Sequence, residues 1–347
     1  MMPKADLSSM PFPALETWVT ETLGLPKFRA GQIFSWLHRR HAASFDEMSD
    51  LPAALRLRLV QEAFITRLSV HTEQRSALDG TRKFLLSLAD GNRVEAVRME
   101  YHHGPSFCIS TQVGCRMGCA FCASTIGGLV RNLTAGEMLG EIQELASLTG
   151  EPDSIVLMGI GEPLDNYQNL LNFLDILSDP RGCGMSLRRV SLSTCGLADR
   201  IDDLADKKPG LTLSVSLHAA DDETRSRIMP VNREYDIERL MSACRRYFSL
   251  TGRRISYEYA LIDGVNDTPV HARRLAGLLR GQPCHVNLIP VNPVAGRGTR
   301  RSRPENTERF AALLGKLGVN ATVRRELGRD IDAACGQLRR SRQEQEN

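Results

Sequence analysis

Three cysteines fall within eight residues in the segment GCRMGCAFC: Cys115, Cys119 and Cys122, spaced Cys-x₃-Cys-x₂-Cys. Three thiolates on one loop can converge on one metal centre, and soft thiolates select zinc or iron–sulfur. A structural zinc takes four ligands, commonly in paired sets. No fourth Cys or His follows at such a spacing; the next cysteine is Cys183. A 4Fe–4S cluster held by three cysteines leaves one iron open, where a substrate or cofactor can chelate.

Other candidate groups stand where strand-like runs end. Gly161-Glu162 follows the run Ser154–Met158. The glycine lets a ligand approach the backbone closely, and Glu162 can accept hydrogen bonds from an ammonium group; a plain strand-end turn accounts for the pair equally well. Ser193 ends Val190–Thr194, Ser216 and His218 flank Leu217 at the end of Leu211–Leu217, and Asn292 follows His285–Ile289. Taken singly, each reads as a turn cap or a core polar group. Their shared position at strand termini points to a site. Cys108 (in SFCIS), Cys335 (in IDAACGQL) and Glu95 (in NRVEAVRM) complete the candidates. A lone Cys is often simply buried, and an alternating strand also places a solvent-facing Glu.

These groups need elements to hold them. Phe28–His38 and Asp46–Phe64 carry apolar residues at helical spacing. Arg82–Ala89 and Arg93–Met99 read as strands joined through Asp90-Gly91, a hairpin-turn pair. From Phe107 on, strand-like runs alternate with helical patterns, which predicts a parallel sheet in βα units and a complete or partial barrel. Thr134 with Glu137 predicts a capping box on the first of these helices. The expected organisation is a helical accessory domain over 1–75, a linking β-hairpin over 76–104, a barrel with its extension over 105–338, and a polar tail over 339–347.

Composition narrows the class. The chain of 347 residues has 44 Lys+Arg against 41 Asp+Glu, a net charge of +3, with 42% hydrophobic residues. That balance suits a buried core and excludes a disordered chain. No apolar run approaches the ~18–20 residues that span a bilayer, so no membrane association is expected. Nine cysteines without an apolar leader near the N-terminus point to reduced thiols in the cytoplasm. Basic patches at Lys27–His41 and Arg297–Arg303 suit a phosphate-rich partner.

The three-cysteine motif after the first barrel strand, with Phe121 beside its third cysteine, resembles the radical S-adenosylmethionine superfamily. FCISTQVGCRMGCAFCAST, MGIGEPLDN, LSTCG, SVSLHA, IMPVN, HVNLIPVNP and DIDAACGQL resemble the RlmN family, over nearly the whole chain. KFRAGQIFSWLHRRH with FDEMSDLP is similar to that family's N-terminal domain. Pro163 in GEPL and the CAST after the cluster look like RlmN, not its sibling Cfr, which methylates adenine carbon-8. The resemblance implies an α/β fold, a partial (β/α)₆ TIM-like barrel of the radical SAM type with a small N-terminal helical domain. It implies methylation of adenine carbon-2 in 23S rRNA and in tRNA 3′ of the anticodon, with two S-adenosylmethionine per turnover. Cys115, Cys119 and Cys122 would hold the 4Fe–4S cluster; Gly161, Glu162, Ser193, Ser216, Leu217, His218 and Asn292 would bind S-adenosylmethionine. Cys335 would carry the methyl group, Cys108 would form a transient disulfide with it, and Glu95 would accept the proton. An electron donor such as flavodoxin and a thiol reductant are implied partners. Cys183, Cys195, Cys244 and Cys284 are read as structural or incidental. The alternatives are a Cfr-like carbon-8 enzyme and a non-catalytic zinc-containing RNA-binding protein.

Overall fold

The computed structural model describes residues 4–102, 104–294 and 297–331. Cys335 and the expected tail over 339–347 lie outside the described residues.

The N-terminal segment opens with β1 (Ala5–Asp6), which pairs in parallel with β2 (Ala63–Phe64). Between them lie α1 (Phe12–Thr17), α2 (Phe28–His38) and α3 (Ala53–Glu62). In α2, Ala30, Ile33, Phe34 and Leu37 are buried, the i, i+3, i+4, i+7 face that an amphipathic helix turns to a core. The run Asp46–Phe64 is not one helix. Phe45–Glu47 is a single 3₁₀ turn, Pro52 caps α3, and the helix starts only behind it, because the proline ring cannot continue a helix from the preceding turn.

Residues 69–75, expected in the helical segment, form strand β3 (Ser69–Arg75). SVHTEQR has no apolar face to mark it, being half-buried at the sheet's outer edge. It lies antiparallel to β4 (Arg82–Ser87), which pairs antiparallel with β5 (Arg93–Tyr101). The expected two-stranded hairpin is therefore a three-stranded antiparallel extension. β5 pairs with β6 (Gly104–Cys108), which joins the extension to the parallel sheet.

After β6 come β7 (Gln112–Gly114) and β8 (Leu129–Asn132), a small antiparallel pair that closes the base of the cysteine loop. Then βα units follow: α4 (Ala135–Thr149), β9 (Ser154–Leu157), α5 (Tyr167–Ser178), β10 (Val190–Thr194), α6 (Ala198–Lys207), β11 (Thr212–Ser216), the short α7 (Asp222–Ile228), α8 (Ile237–Thr251), β12 (Ile255–Leu261), α9 (Pro269–Leu278), β13 (Cys284–Pro290), α10 (Pro304–Lys316) and β14 (Ala321–Val323). The sheet order is β14-β13-β12-β11-β10-β9-β6-β5-β4-β3, and every neighbour from β6 to β14 is parallel. Six βα units and an antiparallel extension on one edge make an open, partial barrel, as the sequence leads one to expect. The capping box is present: Glu137 N–H donates to Thr134 Oγ1 at 3.1 Å and Thr134 N–H to Glu137 Oε2 at 2.9 Å. No helix among the described residues is long and apolar enough to cross a membrane.

Candidate active site at the carboxyl ends of the parallel strands

The carboxyl ends of β6 and β9 to β13 open into one cavity of about 380 Å³. Its wall contains Cys108, Cys115, Cys119, Cys122, Gly161, Glu162, Ser193, Ser216, His218 and Asn292. Residues spread over almost 190 positions of sequence thus meet in one place, because parallel strands deliver their C-terminal ends to the same side of a sheet.

The cysteine loop is held by its own backbone. Cys115 N–H donates to Gly128 O at 3.0 Å, Cys122 N–H to Cys119 O at 3.2 Å, and Ala120 N–H to Ile228 O at the end of α7 at 2.9 Å. Thr125 Oγ1 donates to the carbonyl of Cys122 at 3.0 Å. Gly114 starts the loop at φ +79°, where a Cβ would stand 2.0 Å from Gly128 O, so only glycine fits. Burial pushes the Cys115 thiol up to about 12, with the charges of Glu162 and Cys122 adding to it, and raises that of Cys119 further, with the charges of Cys122 and Cys115 adding to it.

Glu162 is 4% exposed. Its Oε2 accepts from Cys195 N–H at 2.7 Å and its Oε1 from Leu164 N–H at 3.1 Å, while its own N–H donates to Gln112 Oε1 at 2.8 Å. Burial raises the Glu162 carboxyl, and these hydrogen bonds pull it back. Cys195, left as structural from sequence, therefore shapes the site through its amide and also lines the cavity. His218 takes the left-handed conformation, φ +56°. Its Nδ1 accepts from Ala260 N–H at 2.8 Å, which puts the ring proton on Nε2. Burial holds this imidazole down at about 3, so it is neutral. Phe121 meets it edge to face at 4.8 Å between centroids.

Two expected residues do not line the cavity. Leu217 is fully buried, and its carbonyl accepts from Ala219 N–H at 2.8 Å and Arg225 Nε at 3.1 Å. Glu95 is 3% exposed, not solvent-facing; its Oε2 pairs with the fully buried Lys83 Nζ at 3.1 Å. Glu95 shares a strand face with Val97 and Met99, which do line the cavity.

A family model described as "Radical SAM superfamily" matches residues 109–276, and one described as "Ribosomal RNA large subunit methyltransferase N-terminal domain" matches residues 5–65. A protein of Lachnospira eligens, named as a dual-specificity RNA methyltransferase RlmN, is 49% identical over 335 residues, 96% of this chain and 95% of that protein. The chain belongs to the RlmN family. An RlmN of Desulforamulus reducens is 51% identical over 319 residues, 92% of this chain and 91% of that one. The crystal structure of a radical SAM methyltransferase from Sphaerobacter thermophilus superposes with a TM-score of 0.90 at 42% identity, covering 96% of this chain and 99% of that chain.

The radical SAM superfamily implies a 4Fe–4S cluster and S-adenosylmethionine, and the cavity of this RlmN-family chain fits both. Buried thiols with raised pKa become thiolates only beside a cation, which iron supplies. Among the described residues no three His, Cys, Asp or Glu side chains group as ligands of a single ion would. A 4Fe–4S cluster spreads its ligands over several irons and needs no such convergence. Sequence reasoning missed Glu258, a buried carboxylate of β12 in the cavity wall that accepts from Asn287 Nδ2 at 2.8 Å. An acid inside the apolar run ISYEYAL was a readable signal. It also missed Arg324 and Arg325 in the wall. Of the two basic patches, Arg297–Arg303 borders the site: Arg297 Nη2 donates to Thr125 Oγ1 at 2.6 Å and Arg301 lines the cavity. Arg39, in the other, bonds the Pro180 carbonyl, near where β10 begins and so at the other end of the strands.

Proposed function

We propose that this chain is an RNA methyltransferase that adds a methyl group to carbon-2 of an adenosine, in the peptidyl-transferase centre of 23S rRNA and 3′ of the anticodon in tRNA. The observation that carries this reading is a fourth thiol, Cys108, in the wall of the cavity that already holds the three loop thiols. Among the described residues no three of these side chains group as ligands of a single ion would, so Cys108 is not the fourth ligand of a structural zinc. An enzyme that passes the methyl group through a cysteine needs a second thiol to release its product.

Cys115, Cys119 and Cys122 would each hold one iron. When bound, the cluster supplies the electron that cleaves S-adenosylmethionine to a hydrogen-abstracting radical. Gly161, Glu162, Ser193, Ser216, Leu217, His218 and Asn292 hold S-adenosylmethionine in this reading. The carboxylate of Glu162, fixed by two amides, keeps lone pairs for an ammonium group. His218 offers its Nε2–H as a donor at neutral pH. Leu217 has only its backbone to contribute. Cys335 takes a methyl group by nucleophilic displacement on one S-adenosylmethionine. The methyl carbon, having given a hydrogen atom to that radical, would join adenine carbon-2 and link RNA to protein, and the adduct would then lose one electron to the redox chain that supplied it. Glu95, held by Lys83, accepts the carbon-2 proton. Cys108 then attacks the Cys335 sulfur, which forms a disulfide and releases methylated RNA. A thiol donor resets the pair, and a flavodoxin-like protein supplies electrons. The arginines at the cavity border bind phosphates beside an extruded base.

Anaerobic reconstitution with iron, sulfide, S-adenosylmethionine, a reductant and both RNAs tests this, read by mass spectrometry of digested nucleosides. The expected product is 2-methyladenosine from both RNAs. Finding 8-methyladenosine alone would move the chain to the carbon-8 chemistry. Zinc in place of iron and sulfide would end the enzyme reading.

A further inference from the structure

Arg225 is the largest fully buried side chain of the described residues, at 0% exposure. It comes from α7, whose sequence DETRSRI reads as a solvated helix. Its guanidinium instead points at the carboxyl ends of two neighbouring strands. Nη2 donates to Cys195 O after β10 at 2.7 Å and to Ser216 O at the end of β11 at 3.2 Å; Nε donates to Leu217 O at 3.1 Å. Nη1 donates to Asn232 Oδ1 at 2.8 Å. A planar fork with several donors in fixed directions can tie two strand ends together in a way an ammonium cannot.

Its charge is unusual as well as its position. Buried cations are normally paired with an acid. Arg225 forms no ion pair with any described residue. Asn232, which accepts from Arg225, links it to an acid: Asn232 Nδ2 donates to Asp222 Oδ1 at 2.9 Å. The cysteine loop lies beside α7: Ala120 N–H bonds the carbonyl of Ile228, and Cys119, Cys195 and Ile228 share one buried cluster. Desolvation lowers the guanidinium pKa, and the anionic forms of Cys195, Cys119 and Asp222 oppose that shift. A fully buried cation with no ion pair among the described residues, packed beside the cysteine loop, favours an anion on that loop. Three thiolates on a 4Fe–4S core are anionic, and one-electron reduction adds a further negative charge.

We propose that Arg225 is a positioning residue with two separable roles: its fork sets the ends of β10 and β11 for S-adenosylmethionine, and its unpaired cation favours the reduced state of the cluster. This rests on the cluster and cofactor reading given above. The fork requires the geometry of arginine; the electrostatic effect requires only a positive charge.

Two variants separate the roles. Arg225→Lys loses the fork and keeps a cation as long as its buried amine stays protonated, so potentials are compared at about pH 6 as well as about pH 8; Arg225→Gln loses the charge at both. Each is reconstituted anaerobically and assayed for iron and sulfide, for midpoint potential by dithionite titration followed by electron paramagnetic resonance, and for S-adenosylmethionine affinity from the change in the reduced-cluster spectrum. Both should take up iron. Arg225→Lys should keep the wild-type potential at about pH 6 and bind S-adenosylmethionine roughly 10–100-fold more weakly, the usual cost of an outer-shell change. Arg225→Gln should shift the potential to more negative values. An unchanged affinity in Arg225→Lys or an unchanged potential in Arg225→Gln overturns the proposal. So does failure of both variants to fold by circular dichroism, which would assign Arg225 to stability alone. If the wild-type chain itself takes up no cluster, the underlying reading fails, and that is seen before any variant is made.

Discussion

At the scale of single residues, the thiols divide by what each can be asked to do. Cys335→Ala should abolish methyl transfer while leaving iron and sulfide content unchanged. Cys108→Ala should keep methyl transfer to Cys335 and trap RNA covalently on the protein, visible as a shifted band on a denaturing gel. A Cys335→Ala protein that still methylates RNA would remove the cysteine-carried step. Gly161 sits at φ +112°, and a Cβ there would stand 2.7 Å from Gln112 Cβ and N. Gly161→Ala should therefore cost about 1–3 kcal/mol in urea unfolding and weaken S-adenosylmethionine binding, because the strain falls on the turn that presents Glu162. The loop cysteines, Glu162 and His218 were legible in sequence as residue types at telling positions. What those residues bond was not. Glu162 and Cys195 are 33 positions apart, and only the adjacent ends of β9 and β10 make them partners.

At the scale of elements, the β4–β5 pair carries a buried charge couple, Lys83 with Glu95. Removing one partner of such a couple typically costs about 3–5 kcal/mol, and replacing both with apolar groups costs less. Lys83→Met alone should therefore destabilise more than Lys83→Met combined with Glu95→Leu, measured by denaturant unfolding. The opposite order would show that the pair adds net stability of its own. The βα rhythm was readable because burial leaves a strong pattern: β9 to β13 carry apolar residues at strand spacing, and α4, α5, α8, α9 and α10 fall on helical patterns of the sequence, with their ends shifted by a few residues. β3 was not readable. An edge strand that packs little apolar surface shows no period-two pattern, and its neighbours decide its state.

At the scale of the whole molecule, two histidines buried at separate places make stability depend on pH. Burial lowers both His38, in α2, and His218, at the site, from 6.5 to about 3. The unfolded chain binds these protons more readily, so the stability each contributes is fully present above about 6.5. It is lost as pH falls towards 3, by about 1.4 kcal/mol per pH unit and histidine. Burial raises Glu141 and Glu162, which titrate with the opposite sign. The histidine part is read as the difference between wild type and the His38→Gln/His218→Gln variant. The wild type should lose stability faster than that variant between about pH 6 and pH 4. Equal slopes would mean that neither imidazole is held neutral in the folded protein.

The sequence alone determined the chemistry on offer and the frame that carries it. Three cysteines at fixed spacing, a glycine–glutamate turn and alternating strand and helix patterns are local properties, written in residue type and period. The tertiary structure decided which groups face one another. It put Cys108 in the wall of the same cavity as the loop cysteines, kept Leu217 out of that wall and turned Glu95 inward onto Lys83. It also drew Arg225 out of a helix that reads as solvated and set it across two strand ends. Those outcomes depend on which strand lies beside which and on the angle at which each helix packs. Such relations join residues far apart in the chain and leave no mark on the residues near them in sequence.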